Sequence, residues 1–142
     1  MTDLMAKKSD ALTVERVEAA YGALGTGDRV AIEEFWDPEL TWQAAGCSRV
    51  SRTYRGLDEF IGFLTTMGEL SGGSLAMDFV SILVGDATAV ALTHNTATRA
   101  DDPARRMDIE EVHFLSWRDG RIVSGRGAML GGGTAEFEEF VA

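Results

Sequence analysis

The run RMDIEEVHFLSW, residues 106–117, alternates as a β-strand does, and its more apolar face carries Ile109, Glu111, His113, Leu115 and Trp117. A carboxylate and an imidazole two residues apart on such a face need hydrogen-bond partners or a cavity beside them, because burying a polar group without either is costly. An imidazole exchanges protons near neutral pH, and desolvation pushes a carboxyl group towards its protonated, donating form. Glu111 and His113 are therefore candidate general acid–base groups, and His94, the only other histidine, is the third. The competing reading of each histidine is a hydrogen-bonded structural role. Two histidines and a glutamate without H-E-x-x-H or a comparable spacing point to no metal site, and no cofactor motif accompanies them. The GGG run at 131–133 lacks the Lys-Ser/Thr and the strand–helix context of a phosphate loop and reads as a connector.

The elements that must position these groups are legible in the periodicity. Residues 1 to about 10 are polar and aperiodic, a frayed leader ahead of a folded unit at 11–142. Leu12, Val14, Val17, Tyr21 and Leu24 have helical spacing, which Gly25-Thr26-Gly27 ends. DRVAIEEFW predicts a second helix, N-capped by Asp28 and ending before Pro38, and LTWQA a short strand. Residues 56–70 place Phe60, Phe63, Leu64 and Met67 on one side of a third helix. Strands are expected at 74–84, 88–99, about 106–118 and 121–130, with Asp119-Gly120 the clearest hairpin turn, and TAEFEEFVA has helix potential. Helices first and a strand meander afterwards predict an α+β fold, with the N-terminal helices wrapped by a curved antiparallel sheet that encloses a hydrophobic pocket.

Composition narrows the partners. With 142 residues and 45% apolar content the chain can build one core without disulfides. A net charge of −10 repels phosphates, so neither nucleic acid nor an anionic membrane surface is an expected partner, while neutral or cationic small molecules are compatible. Cys47 is the single cysteine, which fits a reducing cytoplasm. No apolar run reaches the roughly 18 residues of a membrane span, and the N-terminus lacks the apolar segment of a signal peptide.

The order helix, helix, ELTWQAAG, TYRGLDEFIGFL and strands ending VHFLSWRDGRIVSGRG resembles the SnoaL-like polyketide cyclases, in the nuclear transport factor 2-like superfamily that also holds ketosteroid isomerases and limonene epoxide hydrolases. YRGLDEF and HFLSWRDGRIV are the most specific pieces of a similarity running from about residue 12 to 140. The resemblance implies a cone-shaped α+β barrel open to a hydrophobic ligand, with Glu111 and His113 on the concave face. It also implies that His94 and Thr96 point into the cavity, where the epoxide hydrolases carry an arginine and an aspartate, and that Gly127 stands where those enzymes keep an acid. That glycine reads either as room for a bulky ligand or as a strand bend.

Trp42, Phe60, Phe63, Met67, Met77, Phe79 and Met129 could enclose a flat apolar substrate, and Arg126 reads as an exposed ion-pair partner. The resulting expectation is a cofactor-independent cyclase closing a ring in a hydrophobic polyketide-like intermediate. Proton transfer by Glu111 with His94 or His113, or a templated pericyclic closure, would each serve. A noncatalytic ligand-binding or dimerisation module of the same fold stays open. An epoxide hydrolase is disfavoured by Thr96 and Gly127. Apolar residues on both strand faces, Val112 against Leu115, together with the resemblance, predict a homodimer or higher homo-oligomer.

Overall fold

A computed structural model describes residues 11–142; the expected leader lies outside the described residues. Helix α1 spans Val14–Thr26, with the Thr13 side chain accepting from the Arg16 amide at its start and Gly27, at φ 68°, turning the chain out of it. Helix α2, Arg29–Glu33, is capped by Asp28 as the sequence predicts but is shorter than expected. Trp36 already opens strand β1 (Trp36–Gln43). Pro38 can sit within this strand because the β1 register shifts between Trp36 and Thr41, where no ladder bond asks for its missing N–H.

Strand β2 (Thr53–Arg55) leads through Gly56 into helix α3 (Leu57–Leu70), where the Glu59 carboxylate accepts from the Arg55 amide across the junction. Strands β3 (Ala76–Val84), β4 (Thr88–Thr98), β5 (Arg106–Arg118) and β6 (Arg121–Met129) follow, and helix α4 (Gly133–Val141) ends the chain. Asp119 and Gly120, at φ 52° and 81°, make the left-handed turn expected between β5 and β6.

The six strands form one curved, unclosed sheet in the order β2-β1-β6-β5-β4-β3. The α+β architecture is the expected one, with a single departure from a wholly antiparallel sheet: β1 runs parallel to β6. The reason is topological, since β1 and β2 are laid down before α3 and receive β6 alongside only after the meander is complete.

Trp36, Trp42 and Phe60 stack as tilted rings 4.9–6.2 Å apart at the centre of the core, with Val17, Ala20, Leu40, Leu57, Leu115 and Ile122 around them. Burying each such aromatic is worth about 1.5–3 kcal/mol. At the other end of the sheet α4 lies over β5, and Arg99 and Arg105 donate to its last carbonyls, a cationic match to the negative helix end.

Candidate active site

Between the concave sheet face and helices α1 and α3 lies a cavity of about 570 Å³, within the range of small-molecule sites. Trp42, Phe60, Phe63, Met67, Met77 and Phe79, all expected from the sequence, line it, together with Leu64, Leu75, Ile109 and Phe137. The exposed members of the lining, Glu18, Gly22, Gly25, Gly73 and Met77, mark its mouth.

Polar groups converge on one wall. Strand alternation brings Glu111 and His113 inward from β5, and both border the cavity. The register pairs Thr93 with Glu111 and Asn95 with Ile109, so Asn95 on β4 is the diagonal neighbour of Glu111 on the same face. Its Nδ2 donates to Glu111 Oε1 at 2.9 Å. His113 Nε2 stands 3.1 Å from the same oxygen, and His113 Nδ1 lies 2.7 Å from the hydroxyl of Tyr21 on α1.

The result is a chain Tyr21–His113–Glu111–Asn95 in which His113 is 3% and Glu111 12% exposed. Among the described residues no hydrogen bond reaches Glu111 Oε2. The imidazole is fixed by stacking on Tyr21, 5.8 Å between centroids, and by the edge of Trp42 at 5.0 Å. Burial first, and then the nearby Glu111 charge, raises the Tyr21 pKa well above the usual phenol range, so its hydroxyl keeps its proton. With the carboxylate ionised, the neutral imidazole carries its proton on Nε2, facing Glu111, and Tyr21 donates to Nδ1.

Four expectations are corrected. His94 and Thr96 do not enter the cavity: the concave face of β4 is Ala89, Ala91, Thr93, Asn95 and Ala97, and His94 lies outside, where Nε2 meets Asp108 Oδ1 at 2.6 Å beside a polar cleft with Glu110 and Glu136. On this strand Val90 and Leu92 lie with His94 on the outer, half-buried face. Gly127 is absent from the cavity lining because Glu111 already occupies the space above it: a Cβ there would stand 2.5 Å from Glu111 Oε2. Met129 packs instead on the second core cluster, with Ile109, Phe137 and Phe140. Arg126 lies over the Phe114 ring, 5.3 Å from its centroid, rather than in an ion pair.

Sequence reasoning missed Tyr21, read as one more helix-core residue, and Asn95. The available signal was the row of small residues sharing Asn95's parity, in which Asn95 is the one amide. Among the described residues, no group of three His, Cys, Asp or Glu side chains could hold a metal ion, and no helix is long and apolar enough to cross a membrane.

An open, curved six-stranded sheet with N-terminal helices packed on its concave side is the plan of the nuclear transport factor 2-like proteins. The SnoaL-like domain matches residues 17–125, and the chain belongs to that family. Bal32a, from a soil-derived mobile gene cassette, superposes with a TM-score of 0.81 at 22% identity, over 96% of this chain and 99% of its own. TerC, co-crystallised with polyporic acid, gives 0.73 at 18% identity, over 90% and 96%. IdmH of Streptomyces antibioticus, a proposed polyketide cyclase, gives 0.69 at 15%, over 87% and 96%. These similarities show a shared fold. No curated protein sequence matches the chain.

Proposed function

We propose that this protein is a cofactor-independent cyclase or isomerase that moves a proton within a hydrophobic, polyketide-like carbonyl compound, with Glu111 as the base. One observation carries the reading: the Glu111 carboxylate, from a residue on the wall of an apolar cavity, is held from both sides at Oε1, by Asn95 and His113, and has no hydrogen bond among the described residues at Oε2, which lies over Gly127. The solved structures of a proposed polyketide cyclase and of TerC with polyporic acid, on the same fold, support the substrate class.

In this reading Oε2 takes a proton from the carbon next to a substrate carbonyl. The enolate then either takes that proton back from Glu111 at another carbon of its conjugated system, giving an isomer, or attacks a second carbonyl of the same molecule through its carbon. In the latter case a ring closes, and the new alkoxide takes the proton back from Glu111. His113 and Tyr21 position the base and spread its charge along the chain. One positioned proton transfer supplies on the order of 10²- to 10⁴-fold in rate.

The hydrogen-bonded chain of polar groups on one wall favours this version over a purely templated closure, for which an apolar lining alone would serve. Solvent-deuterium incorporation at the α-carbon of aryl β-diketones, followed by NMR, tests it. The protein is expected to accelerate exchange over buffer, and exchange at the buffer rate across the series would overturn the reading.

The protein is also proposed to be a homodimer or higher homo-oligomer. The outer sheet face supports this, since Leu83, Val90 and Phe114 lie in register across β3, β4 and β5, with Leu83 66% and Phe114 39% exposed.

A further inference from the structure

The lining of the cavity changes in kind along β5. Met107, Ile109, Glu111 and His113 all border it, and with two residues per step their side chains spread over about 20 Å of strand. The His113 end is aromatic: the Trp42 ring meets the imidazole at 5.0 Å, Phe60 lies 4.9 Å from Trp42, and Phe79 lies 4.9 Å from Tyr21. Towards Met107 the lining turns mostly aliphatic, with Met67, Met107, Ile109 and Phe137 in one buried cluster and Leu75 packed against it. These side chains carry no polar group; nearby, the Ser71 hydroxyl donates to the Gly68 carbonyl at 3.2 Å, and Asn95 gives its amide to Glu111.

This arm is also closed. Met107, Ile109 and Phe137 are 3%, 4% and 5% exposed, against 38% for Met77 at the mouth. Phe137 is the one residue of α4 that lines the cavity, and it is held there by buried Phe140 and Val141 and by the hydrogen bonds from Arg99 and Arg105 to the Phe140 carbonyl.

From this we infer that the substrate is a carbonyl compound with a flat conjugated head and an aliphatic tail, the head among the rings at His113 and the tail along the apolar arm, where Phe137 sets the longest tail admitted. Aromatic side chains suit a planar π system, whereas methionines adapt to a flexible chain. The position of the first tail carbon, the α-carbon, at Glu111 rests on the proposed proton-transfer reading. About 13 Å of strand then separates it from Met107, which leaves room for about six to eight carbons beside the side chains that close the arm. The direction of head and tail does not depend on the chemistry at Glu111.

The test titrates the protein with acetophenone, butyrophenone, hexanophenone, octanophenone and decanophenone, followed by quenching of tryptophan fluorescence, since Trp36 and Trp42 line the cavity. In the wild type, affinity should rise about fourfold per added methylene up to octanophenone and then level off or fall at decanophenone. Truncating the end of the arm should carry the rise further: decanophenone should gain about tenfold in Phe137→Ala and about fourfold in the milder Phe137→Leu, with acetophenone unchanged in both.

Two wild-type results overturn the inference without needing any variant to fold: affinity that does not grow from acetophenone to hexanophenone, and growth that continues unbroken through decanophenone. A limit that stays at octanophenone in either folded variant overturns it as well. All of these are read from affinity, whereas the role of Glu111 is read from exchange at carbon, so a failure of one is distinguishable from a failure of the other.

Discussion

Gly127 pairs with His113 across β5 and β6, and the Glu111 side chain leans over it, so the missing Cβ is what allows the carboxylate to lie flat against the strand. Gly127→Ala should therefore leave the fold intact, because the atom it meets is the movable end of a side chain. The carboxylate should swing off Asn95 and His113, lowering exchange activity about 10- to 100-fold, as small misplacements of a catalytic group do. Thermal unfolding and exchange rate measured together check both halves. His94 makes a second prediction, outside the cavity. Its hydrogen bond to Asp108 raises its pKa above 6.5 against the opposing effect of desolvation, aided by the charges of Asp108, Asp78 and Glu110. The folded state thus favours the imidazolium: the stabilisation is complete below pH 6.5 and is lost as pH climbs through the raised value. Imidazole NMR should place the His94 midpoint above 6.5, and Asp108→Asn should bring it down, with exchange activity unaffected.

At the scale of elements, glycines in two helices bear on access to the site. Gly22 on α1 and Gly68 on α3 line the cavity, and a Cβ at either would meet no atom within 4 Å, so packing does not require them. Glycine inside a helix is roughly 0.5–1 kcal/mol worse than alanine. Gly22→Ala and Gly68→Ala should each raise stability by about that amount in denaturant titration while narrowing the cavity, so that association with bulky ligands slows. Most of this scaffold was legible in the sequence, because caps, glycine stops and the Asp-Gly turn are local signals. The β5 face was legible for the same reason, since Glu111 and His113 alternate with Ile109, Leu115 and Trp117. On β4 the same logic misled, because hydrophobicity favours turning Val90 and Leu92 inward. Which face is concave depends on how the strand sits in the whole sheet, a long-range fact that a short window does not contain. The parallel β1–β6 pair and the pairing of Tyr21 with His113, 92 residues apart, are invisible locally for the same reason.

For the whole molecule, the same outward turn of Val90 and Leu92 helps give the sheet a convex face carrying Leu83, Val90, Leu92, Val112 and Phe114, the proposed association surface, opposite the concave face that borders the cavity. Light scattering at micromolar concentration should give at least twice the single-chain mass, and Phe114→Asp should return the single chain by placing a charge in the middle of the apolar rows. A single-chain mass for the wild type would contradict the association. Within each chain the proposed chemistry belongs to the cavity wall. Glu111→Gln preserves volume and can still hydrogen-bond, but it cannot take a proton, so it separates chemistry from shape. Measured on variant protein with unaltered thermal unfolding, α-carbon exchange should fall about 10²- to 10⁴-fold while the affinity for 1-naphthol, a small flat apolar probe of the cavity, changes little. Near-normal exchange in Glu111→Gln would contradict the account and leave catalysis to the shape of the cavity.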